Sequence, residues 1–396
     1  MIDLKTAWEL ILENSNTLNT LSVKVTDSVG YILDEDIYSP TDMPPFDKSA
    51  MDGYAFKHDG NETHEKEFFN IGMVAAGDIF TGELKNNECI SIMTGAPLPD
   101  STDTVIAVEN TYKEDGKIVF DKNLKSGANV CFQGEDIAKG QLVLIKGTRI
   151  KTSHIAVISA CGYNKIKVIS KPRIAILNTG SEIIEPGDQL RTGQIYNSNG
   201  QMLQAMCKAL NLPVEYIGIA KDNEDSLSRS LIEGLKYDIL LISGGVSMGK
   251  FDLVPDMLQK AGVEKIFHKV KIKPGKPLFF GKHSKGIVFG LPGNPLSNFV
   301  GFTLFVTTAV KKMMNYDPVL PVFETGFMTE EFKQRPGRKN FFPAVINEDD
   351  DQFFITPVKS NGSADILSLA KANGFLIADE EISVINVGEE TQFLRF

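Results

Sequence analysis

Pro172-Arg173-Ile174-Ala175-Ile176-Leu177-Asn178-Thr179-Gly180-Ser181-Glu182 marks a change of rhythm in the chain. An apolar run ends in a polar, glycine-bearing turn, the pattern of a strand buried on both faces that delivers the chain to a ligand crevice. The pattern recurs. Apolar stretches at Ile174 to Leu177, Val214 to Ile219, Ile239 to Ile242 and Ile287 to Phe289 alternate with helical stretches at Gln201 to Leu210, Ser226 to Leu235, Leu253 to Lys260 and Leu296 to Met313. Strand and helix in alternation predict a doubly wound, mostly parallel α/β domain.

The flanks read differently. Met1 to Asn14 sets Asp3, Glu9 and Glu13 amid Leu4, Trp8, Ile11 and Leu12, an amphipathic helix rather than a signal peptide. Ser22 to Leu33 alternates as a strand, and Ser39 to Tyr54 is a loop rich in Pro and Asp. From Phe68 to Ile150 short β segments are punctuated by turns, with Thr104 to Val108 and Lys117 to Phe120 expected to join across Asp115-Gly116. Ser153 to Cys161 reads as a short helix stopped by Gly162, followed by a strand at Lys165 to Ile169. From Pro318 onward short strands return, among them Phe353 to Pro357, Phe375 to Ala378 and Thr391 to Leu394. The expected class is α/β plus β, multidomain.

With 396 residues, 42% of them hydrophobic, the chain can build two to four cores. Its formal net charge of -10, with no Lys/Arg block, argues against a nucleic-acid partner. Cys89, Cys131, Cys161 and Cys207 are scattered without a Cys-x-x-Cys pair, which fits packing thiols in a reduced, cytoplasmic protein. The longest apolar stretch, Phe299 to Val310, is interrupted by Thr303, Thr307 and Thr308 and falls short of the roughly 20 residues of a bilayer span, so no membrane partner is expected.

Three strand-to-helix turns fall on one edge of the predicted sheet: Asn178 to Glu182, Ser243-Gly244-Gly245-Val246-Ser247, and Gly290-Leu291-Pro292-Gly293-Asn294-Pro295. Glycines there let backbone N–H groups approach an anion, so a phosphate-bearing ligand is the natural candidate. Gly244 and Gly249-Lys250 imitate a P-loop, but Phe251 stands where a hydroxyl is needed for magnesium, and no G-x-G-x-x-G follows the first strand. In His268 to Pro277, strand alternation would set Lys269, Lys271 and Lys273 on one face, with Lys276 returned to them by Pro274-Gly275. Asp52, Asp136, Glu182, Asp222 and Asp252 lie close to these or similar turns. Carboxylates beside an anion site make physical sense when a hard cation such as Mg²⁺ lies between them.

The motifs Phe46 to Ala55, Met93-Thr94-Gly95-Ala96-Pro97, Gly134-Glu135-Asp136-Ile137, Ser243 to Ser247, Lys273-Pro274-Gly275-Lys276-Pro277 and Leu291 to Pro295, in this order, resemble the molybdopterin molybdenumtransferases of the MoeA type, relatives of the gephyrin E domain. Arg335-Pro336-Gly337-Arg338 and Ala370 to Gly374 extend the resemblance to nearly the whole chain. It implies an elongated N-terminal α+β domain from residues 1–43 and 141–171, an inserted β domain at 44–140, an α/β domain at 172–318 and a C-terminal β domain at 319–396. It also implies a homodimer in which the inserted domain of one subunit faces the α/β domain of the other. The implied substrates are adenylylated molybdopterin and molybdate, with Mg²⁺ as cofactor and AMP released. Carried over residue by residue, Asp52, Thr94, Asp136, Asp222, Asp252, Lys269 and Lys273 are catalytic. Thr179, Ser243, Gly244, Gly245, Ser247, Pro292, Gly293 and Pro295 bind the pterin substrate. Lys273, Lys276, Ser297, Arg338 and Ser368 hold molybdate, and Glu182, Asp222 and Asp252 hold the metal. Ser181 departs from the many relatives with Asp there, leaving one carboxylate fewer beside Glu182. Two rival readings are the neighbouring adenylylation of molybdopterin by ATP and a partner-binding scaffold of the gephyrin kind.

Overall fold

The computed structural model describes residues 1–246 and 253–396; the expected site residues Ser247 and Asp252 lie outside them. The chain forms two compact units: Met1–Asp34 with Gly147–Lys151 and Ile166–Phe396, and Glu35–Lys146 with Thr152–Lys165. Among the described residues no helix is long and apolar enough to cross a membrane.

In the larger unit, four parallel strands stand in the order Val214–Ala220, Ile174–Thr179, Ile239–Ser243, Gly286–Leu291. Successive side chains serve opposite layers. Ile174, Ile176, Ile239, Leu241 and Phe289 pack with Leu203 and Val300, whereas Ala175, Leu177, Leu240, Ile242 and Val288 pack with Leu227, Leu231 and Leu258. A strand clothed on both faces must be apolar at every position, which is why these runs do not alternate. Each fully buried Leu, Ile or Phe contributes roughly 1.5–3 kcal/mol. Two further strands, Phe279–His283 and Glu264–His268, extend the sheet antiparallel and have no counterpart in the sequence reading. Helices Ser198–Ala209, Glu224–Gly234 and Val254–Lys260 lie near their expected places. The helical run from Pro295 to Met313 contains one wider π turn, Phe302–Val306.

The first helix, Leu4–Asn14, is capped by the Asp3 carboxylate, which accepts from Thr6 N–H at 2.7 Å, and buries Leu4, Ala7 and Ile11. The continuous strand expected over Ser22 to Leu33 is broken. Thr20–Lys24 gives way to a 3₁₀ turn at Val25–Asp27, where the Ser28 hydroxyl donates to Val25 O and Gly30 turns the chain at φ +83°, before Ile32–Leu33 resumes. At the other end, Lys339–Asp349, Gln352–Pro357, Glu324–Met328, Glu390–Arg395 and Gly374–Ala378 pair in that order, and the last pairs back with the first to close a barrel. The short strand Ile272–Lys273 adds to it in parallel, Ile272 opposite Lys339 and Lys273 opposite Asn340.

The smaller unit is built on six strands in the order Thr104–Ala107, Gly53–Phe56, Glu88–Ile92, Glu67–Val74, Lys117–Phe120, Thr111–Glu114. The hairpin across Asp115-Gly116 exists, but its first strand is Thr111–Glu114 rather than Thr104 to Val108. Both turn residues have positive φ, at 45° and 78°, which suits a two-residue hairpin loop. Thr104–Ala107 instead pairs with Gly53–Phe56 so closely that a Cβ on Gly53 would lie 1.9 Å from Ile106 O. The short helix Thr152–Ala160 ends before Gly162, at φ +81°.

Candidate active site

The ends of the parallel strands hold the three glycine turns against one another. Gly244 N–H donates to Leu291 O at 3.1 Å, joining the second turn to the third. A Cβ on Gly244 would lie 2.6 Å from Thr179 O, and one on Gly245 would lie 2.7 Å from Thr179 Oγ1. With φ of +93° and +64° these positions exclude side chains on two grounds, conformation and space. The His268 ring, Nε2 at 2.7 Å from Val246 O, ties the second turn to the antiparallel extension.

Behind the turns sits a buried amide cluster that sequence reasoning missed. Asn199 Nδ2 donates to Ser243 Oγ at 3.0 Å and to Gly293 O at 2.7 Å; Asn298 Nδ2 donates to Ser243 Oγ at 2.8 Å and to Pro292 O at 3.2 Å. The carbonyls of Pro292 and Gly293 are thereby held inward, fixing the third turn. Thr179 Oγ1, Asn199 Oδ1, Asn298 Oδ1 and both polar atoms of Asn178 are buried with no partner among the described residues. Such groups are costly in a packed interior, about 1–3 kcal/mol each, and their concentration at one sheet edge marks a polar site. The signal available in the sequence was Asn298 itself, an amide inside the apolar run around Phe289 to Val310.

At the first turn, Ser181 N–H donates to Asp222 Oδ2 at 2.8 Å and Asp222 N–H donates to Ser181 Oγ at 3.2 Å. Ser181 thus binds Asp222 reciprocally. Glu182 Oε2 folds back to within 2.9 Å of the point a Cβ on Gly180 would occupy. The first turn thus carries Glu182 on itself and Asp222 bonded to it through Ser181. Among the described residues, no three His, Cys, Asp or Glu side chains gather as a metal cage.

A cavity of about 490 Å³ adjoins the third turn, lined by Lys273, Lys276, Pro292, Asn294, Ser297 and Arg338 among others. Its described lining carries no carboxylate, leaving three cations unopposed. Arg338 donates from a terminal guanidinium nitrogen to Ile272 O at 3.2 Å, and Asn294 Nδ2 donates to Ser363 Oγ at 2.8 Å. The single lysine face expected over Lys269 to Lys273 is not formed. Lys269 takes a left-handed φ of +88° and ends the alternation, while Lys271 pairs with Glu380 at 2.7 Å; neither lines the cavity. Lys276 does return beside Lys273, as the Pro-Gly turn predicted. Ser297 is buried on the wall; Ser368 is buried in helix Ile366–Lys371, its hydroxyl donating to Asp365 O, and Ser360 and Ser363 line the cavity instead. Pro295 opens the helix that follows.

In the smaller unit, Thr94 gives both its N–H, at 2.7 Å, and its hydroxyl, at 2.9 Å, to Asp52 Oδ1. Those bonds, the backbone one first, hold the exposed Asp52 carboxyl below its ordinary value. Asp52 borders a cavity of about 300 Å³ with Met73, Ser91 and Val108. Asp136 is exposed on a separate loop whose backbone is bonded to Met43.

Residues 2–162 match the MoeA N-terminal region (domain I and II), 175–312 a probable molybdopterin binding domain, and 325–396 the MoeA C-terminal region (domain IV). A protein of Staphylococcus epidermidis named molybdopterin molybdenumtransferase is 32% identical over 385 residues, 95% of this chain and 91% of that one. The chain belongs to the molybdopterin molybdenumtransferase family. A namesake from Staphylococcus aureus is 33% identical over 377 residues, 94% of this chain and 90% of its own. The crystal structure of a Pyrococcus horikoshii protein titled molybdopterin biosynthesis MoeA superposes with a TM-score of 0.82 at 31% identity, covering 100% of this chain and 99% of that one. Within this family of transferases, the three glycine turns and both cavity lysines fall in the stretch matched as molybdopterin-binding, Arg338 in the C-terminal region, and Asp52, Thr94 and Asp136 in the N-terminal one.

Proposed function

We propose that this member of the molybdopterin molybdenumtransferase family inserts molybdenum, supplied as molybdate, into adenylylated molybdopterin with magnesium-dependent release of AMP. The observation that carries the reading is the cavity walled by Lys273, Lys276 and Arg338, where three cations without a carboxylate suit a small oxyanion. Ser297 adds a hydroxyl donor without adding charge. Pro292 and Asn294 belong to the same wall, so the oxyanion lies beside the sheet edge at which α/β domains bind their ligands. There Gly244 and Gly245 pack directly against Thr179, which holds the turns together at that edge, and Thr179 with Ser243 offers hydroxyls.

Glu182 and Asp222 fit a magnesium ion by donor type. Both are exposed carboxylates, Glu182 on the first turn and Asp222 bonded to it through Ser181, and Mg²⁺ binds through one or two such groups together with water and substrate phosphate oxygens. Such an ion supplies charge neutralisation at the phosphoanhydride that breaks when AMP leaves. Ser181 holds Asp222 in place, and Lys273, joined by Lys269 on the resemblance alone, balances the phosphate charge. Asp252 joins the acidic set on the resemblance alone. The same resemblance supports a homodimer in the cytoplasm, with Asp52, Thr94 and Asp136 of one subunit serving the α/β domain of its partner.

The test is AMP release from adenylylated molybdopterin with Mg²⁺, with and without molybdate. Molybdate-dependent release, with a product that reconstitutes a molybdenum apoenzyme, is the expected result. Adenylylation of free molybdopterin by ATP would favour the neighbouring reaction instead, and tight binding without release would favour a scaffold.

A further inference from the structure

A second cavity, of about 310 Å³, shares no lining residue with the one beside the glycine turns. Its walls are apolar at Leu210, Leu212, Val310 and Met314, yet cations collect around it. Arg149 donates to the Tyr316 hydroxyl at 3.2 Å, with its guanidinium 5.5 Å from that ring, and Lys311 Nζ stands 5.4 Å from the same ring. Gly30 also lines the cavity, and close behind it lies Lys171, only 7% exposed. The Lys171 ammonium is 3.9 Å from the Tyr31 ring centre and 4.0 Å from the point a Cβ on Gly30 would occupy.

None of Arg149, Lys171 and Lys311 has a carboxylate partner among the described residues, whereas Arg395, the fourth cation at the cavity, is engaged by Glu324. Burial first, then repulsion from Arg149, holds both Lys171 and Lys311 below the ordinary lysine value. The tyrosine faces and the carbonyl end of helix Thr307–Met313 offset part of this cost. Two like charges at the opening and a third behind Gly30 still lack a counter-charge. A carboxylate would neutralise one of them, a phosphate dianion two, and the Arg149 fork matches a pair of phosphate oxygens. The half-buried Thr303 hydroxyl is a further donor on the wall.

We propose that this cavity is a second anion site that takes a phosphate group, free or carried on a small molecule, between Arg149 and Lys311, with Lys171 adding its field from behind Gly30. The site is independent of the reaction assigned to the glycine turns.

Isothermal titration calorimetry of inorganic phosphate, and separately of AMP, into the full-length chain tests it. The titrated protein carries Lys276→Gln so that the other cationic cavity is weakened. Binding of one phosphate per chain is expected. Adding Arg149→Gln or Lys311→Gln should weaken it by about tenfold or more, the loss of one charge-assisted contact. Arg149 is exposed, so its variant keeps the fold, which an unchanged thermal midpoint verifies. Tighter binding of AMP than of phosphate, lost with the same substitutions, identifies a carried phosphate; equal or weaker binding of AMP identifies the free anion. Absence of phosphate and AMP binding in the Lys276→Gln protein, or binding indifferent to both further substitutions, overturns the proposal.

Discussion

Replacing Lys276 by glutamine should raise the molybdate KM while leaving the protein as stable as before. Lys276 is exposed and shares its cavity with Lys273 and Arg338, with no lining carboxylate among the described residues. The substitution removes one charge-assisted hydrogen bond to the oxyanion, about 1.5–3 kcal/mol. At roughly 1.4 kcal/mol per factor of ten, the expected rise in KM is about 10- to 100-fold. AMP release measured against molybdate concentration reads the effect directly. A rise in KM with kcat kept means that the lysine contributes to binding alike in ground and transition states. Lys271→Gln is the control supplied by the structure: it breaks the pair with Glu380 away from the cavity and should leave KM untouched. Equal molybdate KM in native protein and Lys276→Gln would refute the reasoning, and so would an equal rise in Lys271→Gln, since both lysines would then act as one face.

Thr94→Val keeps the N–H bond to Asp52 and removes the hydroxyl one. The depressed Asp52 value means that its favourable contact is present above the ordinary carboxylate range and lost as pH falls through the folded value, so the variant's acid limb of activity should move to higher pH; an unmoved limb counts against a role for Asp52 in turnover. Ser181→Ala removes one half of the reciprocal clamp on Asp222 and should lower kcat several-fold and raise the magnesium requirement, read by titrating Mg²⁺; native behaviour would remove Ser181 from the site. Gly244→Ala places a side chain at φ +93° and 2.6 Å from Thr179 O, so a loss of about 1–3 kcal/mol in a denaturant titration should accompany lost pterin binding, and a native midpoint would contradict the close approach. At molybdate concentrations far below the raised KM of Lys276→Gln, where that variant turns over slowly, mixing Asp52→Asn and Lys276→Gln subunits should restore about a quarter of native activity, through mixed dimers with one intact site, whereas sites made within one subunit would give no recovery.

The parallel core was legible because strands covered on both faces leave no polar position, as in Ile174 to Leu177. The antiparallel strands Glu264–His268 and Phe279–His283 were not, since they mix lysine and histidine with apolar residues and take their place from pairing with one another. Lys269 is similar. Its positive φ goes with the bonds of its N–H to Leu278 O and of its carbonyl to Ile2 N–H, a tertiary arrangement that no local propensity encodes. The glycine turns and the Lys273/Lys276 pair could be read directly, because glycine geometry and unopposed charge leave a local signature. Asn199 could not, because an amide in a polar helix looks the same whether it faces water or clamps a buried turn; Asn298 stands out in its apolar run, but the run does not say what the amide bonds.

Ile272–Lys273 belongs in sequence to the α/β region but in hydrogen bonding to the barrel, opposite Lys339 and Asn340. That short pairing makes the barrel an integral jaw of the cationic cavity, since Lys273 comes from one side of the seam and Arg338 from the other. An anion held by both residues would therefore bridge the seam itself. An occupant that binds only the native form raises stability by mass action, so the C-terminal barrel should become harder to detach or digest as the cavity fills.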